Sequence, residues 1–140
     1  MLLSGVLGVG ILAGTGQFRG SDVAAGSVGE LEKKIVGSKD GAVWAAYADQ
    51  LRAAGRFSTA AKAYERAMEY APELTDARVH RALALAEAKE ADTFFAYFGR
   101  LSVMYPKLAA DLLERPELGA MRTDARWEPA AASARAQAID

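Results

Sequence analysis

The residues able to do chemistry are few in this chain and poorly spaced for it. A single histidine, His80, stands in a sequence with no cysteine. Without thiolates or a second imidazole, carboxylates would have to supply nearly every ligand of a metal site. Disulfide frameworks and cysteine nucleophiles are excluded by the same count. Ser102 and Thr123 have no histidine at a spacing that makes it their base. Glu65 and Glu69 lie one helical turn apart, but on the face that the pattern leaves to solvent. An acid–base pair needs two differing environments, and nothing in the sequence supplies them. No glycine-rich phosphate loop follows a strand, because no strand is evident. The chain reads as non-catalytic, with no cofactor and no metal.

Binding chemistry is what remains, and charge narrows it. Seventeen basic side chains balance 18 acidic ones, for a formal charge of −1. A nucleic-acid binder concentrates an excess of Lys and Arg on one face, so the expected partners are proteins. At 140 residues the chain is about one domain, or a small domain with an extra segment. Hydrophobic residues make up 51%, about thirty residues being alanine, which points to closely packed helices. The richness in alanine and arginine accords with a bacterial genome of high GC content.

Glycine divides the chain. Ten of the 13 glycines lie at or before Gly41. Each costs a helix about 1 kcal/mol relative to alanine, so the two parts must differ in kind. The boundary is expected near Asp40. Residues 1–18, MLLSGVLGVGILAGTGQF, carry no charged side chain. As a helix they span about 26 Å, the short end of what crosses a bilayer core. Leu2, Leu3, Val6, Leu7, Val9, Ile11 and Leu12 together favour insertion by about 3 kcal/mol, and the glycines and polar residues offset part of it.

Three readings of this segment stand. As a membrane anchor, it offers Gly10-x-x-x-Gly14, with Gly5 and Gly8 nearby, for close packing against another helix. As a secretory signal, it has small residues at Ala13 to Gly16 for cleavage but no basic n-region, and the protein would be exported. As a glycine-rich arm, it would lie on a surface. The anchor is the reading adopted, placing the protein at the bacterial inner membrane with the side of the following domain open. Residues 19–40 read as a linker. Within it Val28, Leu31, Ile35 and Val36 share a face, predicting a short helix that Gly37 stops.

From Gly41 onward the pattern is helical. Asp40 is the expected N-cap of a first helix with Trp44, Tyr47, Ala48 and Leu51 on one face, and Gly55 is its expected stop. A second helix carries Ala60, Ala61, Tyr64, Ala67 and Met68, and Pro72 ends it. Shifted by 34 residues the sequence partly repeats: Ala48 falls on Ala82, Leu51 on Leu85, Ala60 on Phe94, Tyr64 on Phe98 and Pro72 on Pro106. The second pair of helices is expected near Asp76–Ala88 and Ala91–Tyr105, with Thr75 as N-cap. Of Phe94, Phe95, Tyr97 and Phe98, one set should enter the core, leaving another as a candidate exposed patch.

The stretch W44-x-x-Y47-A48-x-x-L51…G55-x-F57-x-x-A60…Y64-x-x-A67…P72 resembles a tetratricopeptide repeat. The second copy is degenerate, with Arg78 at the tryptophan position, Lys89 at the glycine and Phe94 at the small alanine. Lys107–Glu114 is similar to a following first helix. Residues 117–127 resemble the closing segment of bacterial repeat proteins, with Pro116 and Pro129 in first turns and Trp127 closing the core.

The resemblance implies an all-α fold: a short helical-hairpin solenoid over residues 41–140 behind the apolar segment. It also implies a binding groove lined by first helices, at Ala45, Asp49 and Arg52, then Asp76, Val79, Leu83 and Glu87. Family members that clamp a carboxylate tail carry Lys, Asn and Arg at such positions. Ala45 and Asp49 stand here instead, so that clamp is not implied. Two repeats with a cap are marginal alone. The chain is therefore expected to be a scaffold or accessory subunit of a larger, membrane-associated complex. The alternative is a soluble or exported adaptor binding a peptide in the groove.

Overall fold

A computed structural model describes residues 29–139. Among them are eight α-helices, a short 3-10 turn and no strand. The helices are α1 (29–35), α2 (Gly41–Ala53), α3 (Phe57–Tyr70), α4 (Thr75–Glu87), α5 (Ala91–Met104), α6 (Pro106–Leu112), α7 (Gly119–Arg122) and α8 (Trp127–Gln137). The chain divides into two compact units, Met1–Ala77 and Arg78–Asp140. The division falls inside the region expected as one domain from Gly41 onward. No helix among the described residues is long and apolar enough to cross a membrane. The candidate packing glycines Gly5, Gly8, Gly10 and Gly14 lie outside the described residues.

In the first unit, Gly37 turns the chain after α1 with φ +74°. Asp40 caps α2, its Oδ1 accepting the Ala42 N–H at 3.0 Å. The Trp44 indole N–H is used locally, donating to the Ser38 carbonyl at 3.0 Å. Helices α2 and α3 pack through Tyr47, Ala48, Leu51, Ala60, Ala61, Tyr64 and Ala67, all buried. The small residues let the backbones come close. Gly41 marks the tightest approach: a Cβ there would collide with Ala71 Cβ and lie 2.7 Å from the Ala67 carbonyl oxygen.

The 34-residue repeat reappears in the backbone. After α2 the Gly55 N–H donates to Arg52 O and the Arg56 N–H to Leu51 O. After α4 the Lys89 N–H donates to Ala86 O and the Glu90 N–H to Leu85 O. These are two Schellman closures, 34 residues apart, each needing a left-handed residue. Gly55 supplies it at φ +80° and Lys89 at φ +59°. The ends of α3 and α5 match as well, Ala71 at φ −143°, ψ 78° and Tyr105 at φ −139°, ψ 67°. Both hairpins thus turn in the same way although their side chains have diverged.

The second unit absorbs the departures. Phe94, in place of a small alanine, is fully buried and stacks on Phe98 with centroids 5.6 Å apart. Arg78, in place of the tryptophan, is buried with its guanidinium 4.0 Å from the Tyr105 ring centroid. Arg81 lies 4.3 Å from the Tyr97 centroid, and the Tyr97 hydroxyl donates to Arg78 O at 2.9 Å. Helices α5, α6 and α8 pack on one another, with Trp127, Ala131 and Ala134 of α8 buried. Arg122 closes the end of α6 by donating to Leu113 O at 2.7 Å and Arg115 O at 2.8 Å.

Three expectations need correction. Thr75 is the first residue of α4 rather than its cap. The first helix after the second hairpin ends at Leu112, before Glu114. The aromatic cluster of α5 leaves no exposed patch: Tyr97 is buried and Phe95 is half-buried beneath the Arg126 guanidinium, 5.0 Å from its centroid. The exposed apolar residues of α5 are instead Val103 and Met104 at its end.

Candidate functional site

The two hydroxyls weighed as nucleophiles are both engaged locally. The Ser102 hydroxyl is buried and donates to Phe98 O at 3.0 Å, and the Thr123 hydroxyl donates to Ala120 O at 3.1 Å. Both are held by their own helical turns. Glu65 and Glu69 are exposed on α3, Glu69 pairing with Arg66 at 3.4 Å. No group of three or more metal-ligating side chains stands together among the described residues.

The expected groove residues fall into two sets, one in each unit. In the first, Asp49 turns to its own hairpin: the Tyr64 hydroxyl donates to Asp49 Oδ1. Burial pushes the Tyr64 hydroxyl well above the ordinary tyrosine range, the Asp49 bond adds to the shift, and Arg52 beside it opposes it. Asp49 and Arg52 thus flank a buried tyrosine. Asp76 is exposed in the first turn of α4.

In the second unit Val79 is half-buried and lines a cavity, whereas Leu83 is fully buried. Leu83 is core, because five successive residues from Ala82 to Ala86 are enclosed all round the helix. It offers no surface to a ligand, which corrects its assignment. Glu87 is half-buried at the end of α4.

The cavity at Val79 is the better site. It has a volume of about 300 Å³ and is walled by Val79 of α4, Leu108, Asp111 and Leu112 of α6, and Arg115 just beyond. Positions 108, 111 and 112 follow one face of α6, and Arg115 stands in extended backbone after the turn that ends it. Pro106 at the first position of α6 and buried Ala109 and Leu112 fix that face against the unit. The Arg115 guanidinium is held by Glu117 through bonds of 2.9 and 3.3 Å, while Asp111 is exposed at the rim. Its charged lining residues are one acid and one base, Asp111 and Arg115. An apolar wall with such an edge suits an aliphatic side chain flanked by polar or charged groups.

Sequence reasoning missed Leu108, Asp111, Leu112 and Arg115. The spacing of the first three was a usable signal, since Lys107–Glu114 was already expected to be a further first helix. Comparison with protein-family models, with curated proteins and with solved structures finds no match.

Proposed function

We propose that this chain is a non-catalytic scaffold or accessory subunit of the tetratricopeptide type, which docks a protein partner on the α4–α6 face of its second unit. The observation that carries the reading is the cavity walled by Val79, Leu108 and Leu112 with Asp111 at its rim. The repeated hairpin closures support the family assignment, and the charge balance favours a protein partner over nucleic acid. The uncharged apolar composition of residues 1–18 supports attachment to a membrane, and with it a place in a membrane-associated complex.

The test is native-gel migration of the full-length protein after mild detergent extraction of its own membranes, with mass spectrometry of co-migrating chains. Wild type should run with membrane subunits, and a Val79→Glu, Leu108→Glu variant that stays folded should run without them. Wild type in the soluble fraction at its own mass would overturn the membrane part and favour the adaptor alternative. An unchanged band for the variant would remove the docking face.

A further inference from the structure

The corner where α5 meets α6 differs in surface from its counterpart in the first hairpin. Tyr105 alone joins the two helices, and the chain there presents three large apolar side chains in a row. Val103 is 70% exposed, Met104 67% and Tyr105 37%. Moved back by 34 residues, the same positions hold Glu69, Tyr70 and Ala71. The backbones of the two corners match, with Ala71 at φ −143°, ψ 78° and Tyr105 at φ −139°, ψ 67°. The turn therefore requires no apolar surface. Glu69 occupies the first corner as a charge, paired with Arg66 at 3.4 Å.

Charge changes together with the apolar content. Arg66 corresponds to Arg100 and Glu73 to Lys107, so a corner of mixed charge becomes a cationic one. Residues 93–110 carry Arg100 and Lys107 and no acid. Asp92, just before them, is held by Arg126 at 2.8 Å, and Asp111 stands one turn beyond Lys107. A third cation lies beside the corner, the Arg78 guanidinium being 4.0 Å from the Tyr105 ring centroid. Arg100 and Lys107 are exposed. Such side chains lay their methylene stems along an apolar surface and keep the charged head in water.

We propose that this corner rests on an anionic lipid surface, with Val103, Met104 and Tyr105 entering the headgroup layer and Arg100 and Lys107 among its phosphates. Val103 and Met104 are successive on a helix and point about 100° apart, so one flat protein face covers them poorly. A fluid surface closes around both. Tyrosine is enriched at the membrane–water interface, where its ring is in apolar surroundings and its hydroxyl is wet. Cations flanking the apolar set are drawn to anionic headgroups, and the corner has no acid of its own to oppose them. The contact uses neither residues 1–18 nor the cavity at Val79, and so goes beyond both proposed attachments.

The chain has no native cysteine, so a single introduced one carries an environment-sensitive nitrobenzoxadiazole dye to a chosen position. Full-length Val103→Cys and Glu69→Cys, each labelled, are mixed with vesicles of equal parts phosphatidylglycerol and phosphatidylcholine, or of phosphatidylcholine alone. On the anionic vesicles the dye at 103 should brighten and shift to the blue, while the dye at 69 stays silent. Adding Arg100→Gln with Lys107→Gln, both at exposed positions, should weaken docking of the corner about thirtyfold and lower the signal at 103 to its level on phosphatidylcholine. No response at 103, an equal response at 69, an equal response on phosphatidylcholine, or an unchanged response in the double variant would overturn the proposal. A response that needs no lipid and grows with protein concentration would also overturn it, and would assign the corner to a second copy of the chain. Flotation of unlabelled wild type with phosphatidylcholine vesicles reads attachment through residues 1–18 separately, so either contact can fail without the other.

Discussion

Gly55 and Lys89 occupy the same step of two hairpins, both with positive φ, and only one is glycine. The left-handed region costs a residue with a Cβ about 1 kcal/mol or more. A Cβ at Gly55 would meet nothing within 4 Å, so the cost there is purely conformational. Urea denaturation should show Gly55→Ala losing about 1 kcal/mol and Lys89→Gly gaining about as much. Equal and neutral effects would mean the closures tolerate any residue.

Tyr97 makes a prediction in pH. Burial pushes its hydroxyl from 10.0 up to about 12, against the opposing charges of Arg81, Arg78 and Arg100. In the unfolded chain the ring ionises first, so the folded state binds the extra proton between those values. The contribution is complete below pH 10 and is lost as pH rises toward 12. Tyr97→Phe should flatten the alkaline fall in stability, followed by denaturant midpoints across that range. On the acid side Arg126 holds Asp124 at about 2, through its guanidinium first and its backbone N–H second. That contribution is present above the ordinary aspartate range and fades as pH falls through 2.

At the scale of elements, the helices were legible wherever the 34-residue shift aligned like with like. Asp40, Gly37 and Gly55 were readable because caps and stops depend on local backbone chemistry. Arg78 and Phe94 were visible only as departures: the ring beneath Arg78 comes from Tyr105 on another part of the chain, and the burial of Phe94, which stacks on Phe98 one turn along the same helix, depends on tertiary packing. Gly41 was read as the start of a helix, and its close approach to Ala71 needs the tertiary crossing. Phe94 is sealed in the second unit, so Phe94→Ala should cost about 3–5 kcal/mol, read as a lower denaturant midpoint. A loss below about 1 kcal/mol would mean the site collapses around the cavity.

At the scale of the molecule, the candidate site was half legible. Val79 was named from its helix, but its companions on α6 depend on how α4 and α6 meet within the second unit. Leu83 sits only four residues on, and burial removed it from the surface. The proposed attachment through residues 1–18 yields its own prediction: Gly10→Leu with Gly14→Leu should release the chain from a membrane assembly while the described helices stay folded. Unchanged association would remove helix packing by the glycines as the means of attachment.

The proposed partner face is tested most directly by photocrosslinking the full-length protein in the cells that produce it. A photoreactive side chain replaces Leu108 at the cavity, or Ser133 on the exposed face of α8 as the reference. The account predicts one discrete adduct from position 108, absent from position 133 and suppressed by Asp111→Lys. Equal adducts at both positions, or none at 108 while a partner still co-purifies, would contradict it.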